Sequence, residues 1–157
     1  MTIECTMFEF INKILPNQKR ELHNGNREYK MYLDLDELES TKKDKKNLIG
    51  KSKAFIHYLR EQKLTNKINR RASQLHFRLE EGHGKALYIL GIKDNGTVEG
   101  ISIEMMFKSL NFLYKMVDII NAKIKNIRIY KGLKDNTFVC TIRIENPNYT
   151  PKQLHTI

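Results

Sequence analysis

Long apolar runs are missing from this sequence. No stretch approaches the about 18 consecutive apolar residues that a membrane-spanning helix needs. No membrane partner is therefore expected. Cysteine is rare, with Cys5 and Cys140 far apart and neither in a CxxC or a Cys/His cluster of zinc spacing. That usage reads as two reduced thiols in a cytoplasmic protein. A basic n-region ahead of an apolar block is also absent. Glu4 and Glu9 stand near the N-terminus instead, so it makes a poor secretory signal. The histidines, His23, His57, His76, His83 and His155, form no i, i+4 pair, and no Ser/His/Asp order stands out. No metal is expected, and no nucleophilic triad. A complete phosphate-binding loop is missing too. Gly50-Lys51-Ser52 looks like the end of one, but Lys45 occupies the first glycine position and no strand precedes it. Gly82-His83-Gly84 is a lone GxG, which a helix terminator followed by a strand entry explains.

What is present reads as one globular domain. The chain has 157 residues, 40% hydrophobic and 29% charged, which is enough to bury a core without staples. Residues 1–26 read as a partly helical leader, because Phe8, Ile11, Ile14 and Leu15 have helical spacing and Pro16 ends the segment. Residues 27–146 read as the domain, with a lysine-rich insertion at about 36–63, and 147–157 as a tail. Tyr29, Met31 and Leu33 alternate as in a strand. Ala54, Phe55, Tyr58 and Leu59 mark a short helical turn. Ile68, Ala72, Leu75 and Leu79 make one face of an amphipathic helix that Gly82 ends. Residues 86–92 read as a central strand, Asp94-Asn95-Gly96 as a hairpin turn, and 97–101 as its return strand. Ser102 opens a second helix, with a core stripe of Ile103, Met106, Phe107, Leu110, Leu113, Tyr114, Val117 and Ile120. Two final strands follow, with Ile127 and Ile129 on one face and Phe138, Cys140, Ile142 and Ile144 on another. The expected fold is α+β: a two-layer sandwich of order β-α-β-β-α-β-β, with a mixed or antiparallel sheet and two main helices on one face. Arg128, Tyr130, Thr141 and Arg143 fall on the other face.

The net charge is +10. Of the 28 basic residues 20 are lysine, and with 14 Asn and 18 Ile the composition also fits A/T-rich coding. The charge is uneven, however. Residues 41–71 hold eleven basic residues against two acids, just after an acidic patch of Asp34, Asp36, Glu37 and Glu39. One reading is a solvated loop whose halves attract each other. The other is an electrostatic footprint for a phosphate backbone.

The stretch LHFRLEEGHGKALYILGIKDNGTVEGISIEMMFKSL adds a family signal. Arg78, Leu79, Glu81, Gly82, Gly84, Ala86, Tyr88, Gly91, Asp94, Asn95, Gly96 and Gly100 follow a pattern of "RL-x-EG" and "GEA-x-Y-x-IGV-x-DNG-x-x-x-G". Met106, Ser109, Leu110 and Leu113 continue it, and Glu28-Tyr29-Lys30 matches an "EYK" strand. This pattern resembles the N-terminal domain of the GTP-binding protein 1 and 2 family of elongation-factor-like GTPases. Members of that family carry a translational GTPase after this region, and none is expected here. The resemblance implies a stand-alone, translation-associated module that contacts RNA or the ribosome without binding GTP. On that reading the phosphate contacts are Lys85, Arg78, Arg70 and Arg71, with Lys42, Lys43, Lys45, Lys46, Lys51 and Lys53 adding non-specific attraction.

The same residues are also similar to the AlbA-type domain of Schlafen-like proteins, some of which are metal-dependent ribonucleases using two Glu and an Asp. Glu28 and Asp94 match two of those positions, and His23 stands where the first Glu is expected. A divalent metal would be the cofactor on that alternative alone. A third reading is a protein-interaction module that docks a separate translational GTPase.

Overall fold

The computed structural model describes residues 7–33 and 50–151. The order is β1 (Met7–Ile14), β2 (Arg27–Lys30), α1 (Lys53–Glu81), β3 (Lys85–Leu90), α2 (Ile103–Ile119), β4 (Lys123–Lys131) and β5 (Phe138–Glu145). The strands form one mixed sheet of order β1-β4-β5-β3-β2. β1 runs parallel to β4 and β2 parallel to β3, while β5 is antiparallel to both its neighbours. The helices lie together on one face, giving a two-layer α+β sandwich. Leu75, Leu79, Leu110, Phe112, Leu113 and Val117 meet Tyr88, Leu90, Ile127, Ile142 and Ile144 in the main core. Each such side chain contributes about 1.5–3 kcal/mol by leaving water.

Among the described residues the order, β-β-α-β-α-β-β, corrects the expected one at two places. Residues 7–14 are a strand and not part of a helix. Their helical spacing has no surface to bury against, whereas β4 offers main-chain partners from Met7↔Asn126 to Phe10↔Ile129. Aromatic and β-branched content suits that pairing. The second correction is the return strand at 97–101. The turn itself forms, with the Gly96 N–H donating to the Lys93 carbonyl at 2.9 Å. Beyond it only single bridges appear, Ile92↔Val98 and Ile101↔Phe138. The reason is that β3 already has β2 on one side and β5 on the other.

The helices differ from expectation in extent. The turn at 54–59 and the helix at 68–79 are one continuous 29-residue α1. Ser52 caps it, accepting the Phe55 N–H at 3.2 Å. The stretch read as a lysine-rich insertion thus supplies the first turns of a helix from Lys53 on. In α2 the buried stripe includes Phe112 and Met116, while Phe107 points to solvent. Ser109, fully buried in mid-helix, accepts the Leu33 N–H at 2.9 Å and pins the chain leaving β2 to α2.

Helix α1 ends at Gly82, but that glycine's φ of −99° is ordinary. The left-handed residue is His83, with φ of 54°. Gly82 is required by space: a Cβ there would stand 1.8 Å from the Lys85 carbonyl oxygen and 2.6 Å from the Asn26 Cβ.

The opposite sheet face is partly covered by the chain itself. Tyr29, Ile89, Ile92, Val98 and Val139 form a second apolar cluster, joined by Leu15, Leu87 and Tyr130. Its lid is residues 15–22 and the 92–98 loop, tied by Gln18 N–H to the Gly96 carbonyl (2.9 Å), Glu21 N–H to the Asp94 carbonyl (2.8 Å) and Tyr29 O–H to the Lys19 carbonyl (2.9 Å). Cys140 is buried and free in the main core, and Cys5 lies outside the described residues.

Candidate nucleic-acid interface

Helix α1 spans about 43 Å at 1.5 Å per residue. Its buried residues are Lys67, Ala72, Leu75, Arg78 and Leu79, all in the second half. Residues 53–66 hold no buried residue and run past the core. This half displays Lys51, Lys53, Arg60 and Lys63 to solvent, together with Phe55 and Tyr58. The two rings stack at 6.4 Å between centroids, and the Lys51 ammonium lies 4.8 Å from the Phe55 ring centre. The half-helix thus carries exposed cations and exposed rings, with Lys53 and Arg60 turned about half a turn away from Phe55 and Tyr58. That is the combination with which single-stranded nucleic acid is held, charge for the backbone and π faces for the bases.

The phosphate contacts expected from sequence do not share one surface. Lys51, Lys53 and Arg70 are exposed on or just before α1, with about 26 Å between Lys53 and Arg70 along the helix axis. Arg71 is half-buried, reaches Gln74 Oε1 at 3.4 Å, and leaves its Nε without a partner. Lys85 is exposed but opens β3 beyond the far end of α1, across from Glu145 of β5. It does not join the α1 surface. Lys42, Lys43, Lys45 and Lys46 lie outside the described residues.

Arg78 corrects the sequence reading. It is 5% exposed. Its Nε donates to Glu28 Oε2 at 2.6 Å, and its terminal nitrogens donate to the carbonyls of Gly25 (2.8 Å), Leu22 (3.1 Å) and His23 (3.4 Å). Every guanidinium nitrogen therefore has a protein acceptor, and none faces a phosphate. Arg78 is a clamp that fastens the 22–28 segment to α1. The planar fork of arginine suits it, since no other cation reaches four acceptors from one plane.

The carboxylates expected for nuclease chemistry differ in setting. Glu28 is buried on β2, held by Arg78 and by Lys30 at 3.4 Å. Asp94 is exposed in the turn after β3. Glu21, which sequence reasoning overlooked, lies between them. Its carboxylate accepts the Tyr29 N–H and its own N–H reaches Asp94. Burial, with the neighbouring Glu28 and Asp94 charges, raises the Glu21 carboxyl above the ordinary 4.5. Glu21 sits seven residues before Glu28, not at the expected position of His23, so spacing carried no sign of it. Among the described residues no group of three or more His, Cys, Asp or Glu side chains could hold a metal ion.

Comparison with known proteins finds one local likeness. GTP-binding protein 2 of Mus musculus and of Homo sapiens are each 39% identical to this chain over 56 residues. The matched stretch is 36% of this chain and 9% of either relative. No family model matches, and no solved structure does. No helix among the described residues is long and apolar enough to cross a membrane. The chain is thus a two-layer α+β protein with local similarity to a GTP-binding protein, consistent with a GTPase-related module.

Proposed function

We propose that this chain is a cytoplasmic, translation-associated RNA-binding module related to GTP-binding proteins, and that it holds RNA on the projecting half of α1. The observation that carries this reading is the exposed half-helix of residues 51–63, which holds Lys51, Lys53, Arg60 and Lys63 together with the stacked Phe55 and Tyr58. Arg70 extends the surface toward the domain. Counterion release from the RNA backbone supplies the affinity, and ring stacking makes it tolerant of sequence.

The test is fluorescence anisotropy with labelled tRNA and with an unstructured RNA, titrated across salt. Tight binding with a steep log–log salt slope supports the reading, and the slope counts the phosphate contacts. Arg60→Glu with Lys63→Glu should weaken binding and flatten the slope, while Phe55→Ala with Tyr58→Ala should weaken it with the slope unchanged. Absence of binding at low salt overturns it. One observation favours a second reading. Phe55, Ile56, Tyr58 and Leu59 put apolar surface on the same half-helix, which suits docking to a separate translational GTPase. Its mark is salt-insensitive binding to protein and none to RNA.

A further inference from the structure

The sheet face away from the helices is only half covered. The lid of residues 15–22 and the 92–98 loop lies over Tyr29, Ile89 and Val139. The remaining half, toward the start of β3 and the end of β5, carries two rows of residues in register. Arg27, Leu87, Arg143 and Asn126 follow one another across β2, β3, β5 and β4. Lys85, Glu145 and Lys123 follow one another across β3, β5 and β4. Both rows stand on the lidded face, because the alternate residues Ala86, Tyr88, Ile142 and Ile144 are in the main core on the other side.

Arg27, Lys85, Lys123 and Arg143 are all exposed. Arg27 and Arg143 stand two strands apart, as do Lys85 and Lys123, which is about 10 Å, and the rows are about 7 Å from each other. None of these cations has an ion-pair partner among the described residues. Glu145 is the one acid in either row. Arg128, in the next row, is turned to Glu9 at 3.6 Å and does not extend the patch. No exposed ring stands in either row. Such a surface can grip phosphates but offers nothing on which an unstacked base could lie. A duplex keeps its bases stacked and is held by shape and by its backbone. We infer that this half-face is a second nucleic-acid contact, which takes the phosphate backbone of double-stranded RNA. The inference rests on the RNA-binding reading and assigns each surface its own form of RNA. The rings of α1 serve single strands, and the ring-free sheet serves duplex. Residues 53–63 begin α1 and Lys85 follows its end, so the two contacts lie far apart and one chain can hold both segments.

Fluorescence anisotropy of the full chain with two blunt RNA duplexes of unrelated sequence and with an unstructured single strand, each titrated across salt, tests this. Both duplexes should bind alike. Arg27→Gln with Arg143→Gln should lower the log–log salt slope for duplex by about two, one for each lost phosphate contact, and leave the single-strand slope unchanged. Lys85→Gln with Lys123→Gln should do the same, and circular dichroism should match the native chain in both. Phe55→Ala with Tyr58→Ala should weaken the single strand and spare the duplex. Duplex binding indifferent to both sheet pairs overturns the inference and leaves the α1 reading in place. So does a chain that binds the single strand alone. Binding of a polyglutamate peptide in place of duplex also overturns it, since the face then reads protein acids. Failure to bind any RNA overturns both readings together.

Discussion

At the scale of single residues, Arg78 and Cys140 have the clearest consequences. Removing one member of a buried ion pair strands the other, at a cost of about 3–5 kcal/mol. Arg78→Ala should therefore lower folding stability by that amount in urea titration, because it also releases the carbonyls of Leu22 and Gly25. Arg70→Ala, on an exposed site one helical face away, should leave the urea midpoint within about 0.5 kcal/mol of native. Cys140 controls part of the alkaline limit. Burial pushes its thiol up from 9.0 to about 12. The folded core accepts only the protonated form, while the unfolded thiol ionises from its ordinary value. The stabilisation is therefore complete below pH 9 and lost as the pH rises toward 12. Burial raises the Tyr88 hydroxyl as well, with the same sign. Stability should fall by about 1.4 kcal/mol per pH unit for each such group, from about pH 9 for Cys140 and from about pH 10 for Tyr88, and Cys140→Ala should flatten the lower part of that fall.

At the scale of elements, the two halves of α1 have different supports. The second half is fixed by Ala72, Leu75 and Leu79 in the core, and the first half by helix propensity and its cap. Ser52→Ala should cost about 1 kcal/mol. The loss should appear as faster amide exchange in residues 53–60 while the cooperative melt of the core is unchanged. The turn after β3 behaves in the opposite way, because tertiary contacts hold it on both sides. Gly96 has φ of 93°, and a Cβ there would stand 2.0 Å from the Gln18 carbonyl oxygen. Gly96→Ala combines a left-handed backbone with that clash. It should destabilise the fold by at least 1–3 kcal/mol in urea titration, the usual range for overpacking, and speed amide exchange at Gln18 and Glu21, whose N–H groups bond to this loop.

For the whole molecule, salt dependence is the readout of the proposed RNA contact. RNA binding to a chain of net charge +10 should weaken steeply as salt rises.

Much of the architecture was legible in the sequence. Alternation in 138–144, the Asp94-Asn95-Gly96 turn, the stripe of Ile68, Ala72, Leu75 and Leu79, and the pairing of two helices on one sheet face follow from local periodicity and turn chemistry, which need no partner to be read. The charge of residues 41–71 was legible for the same reason. Tertiary structure decided the rest. It made residues 7–14 a strand, because only β4 could satisfy their main chain. It denied 97–101 a strand, because β3 had no free edge. It turned Arg78 inward to Glu28 while leaving Arg70 in solvent, since a helix turns successive residues by about 100° and only the packing of α1 on β3, with the Arg78–Glu28 contact, determines which arginine is buried.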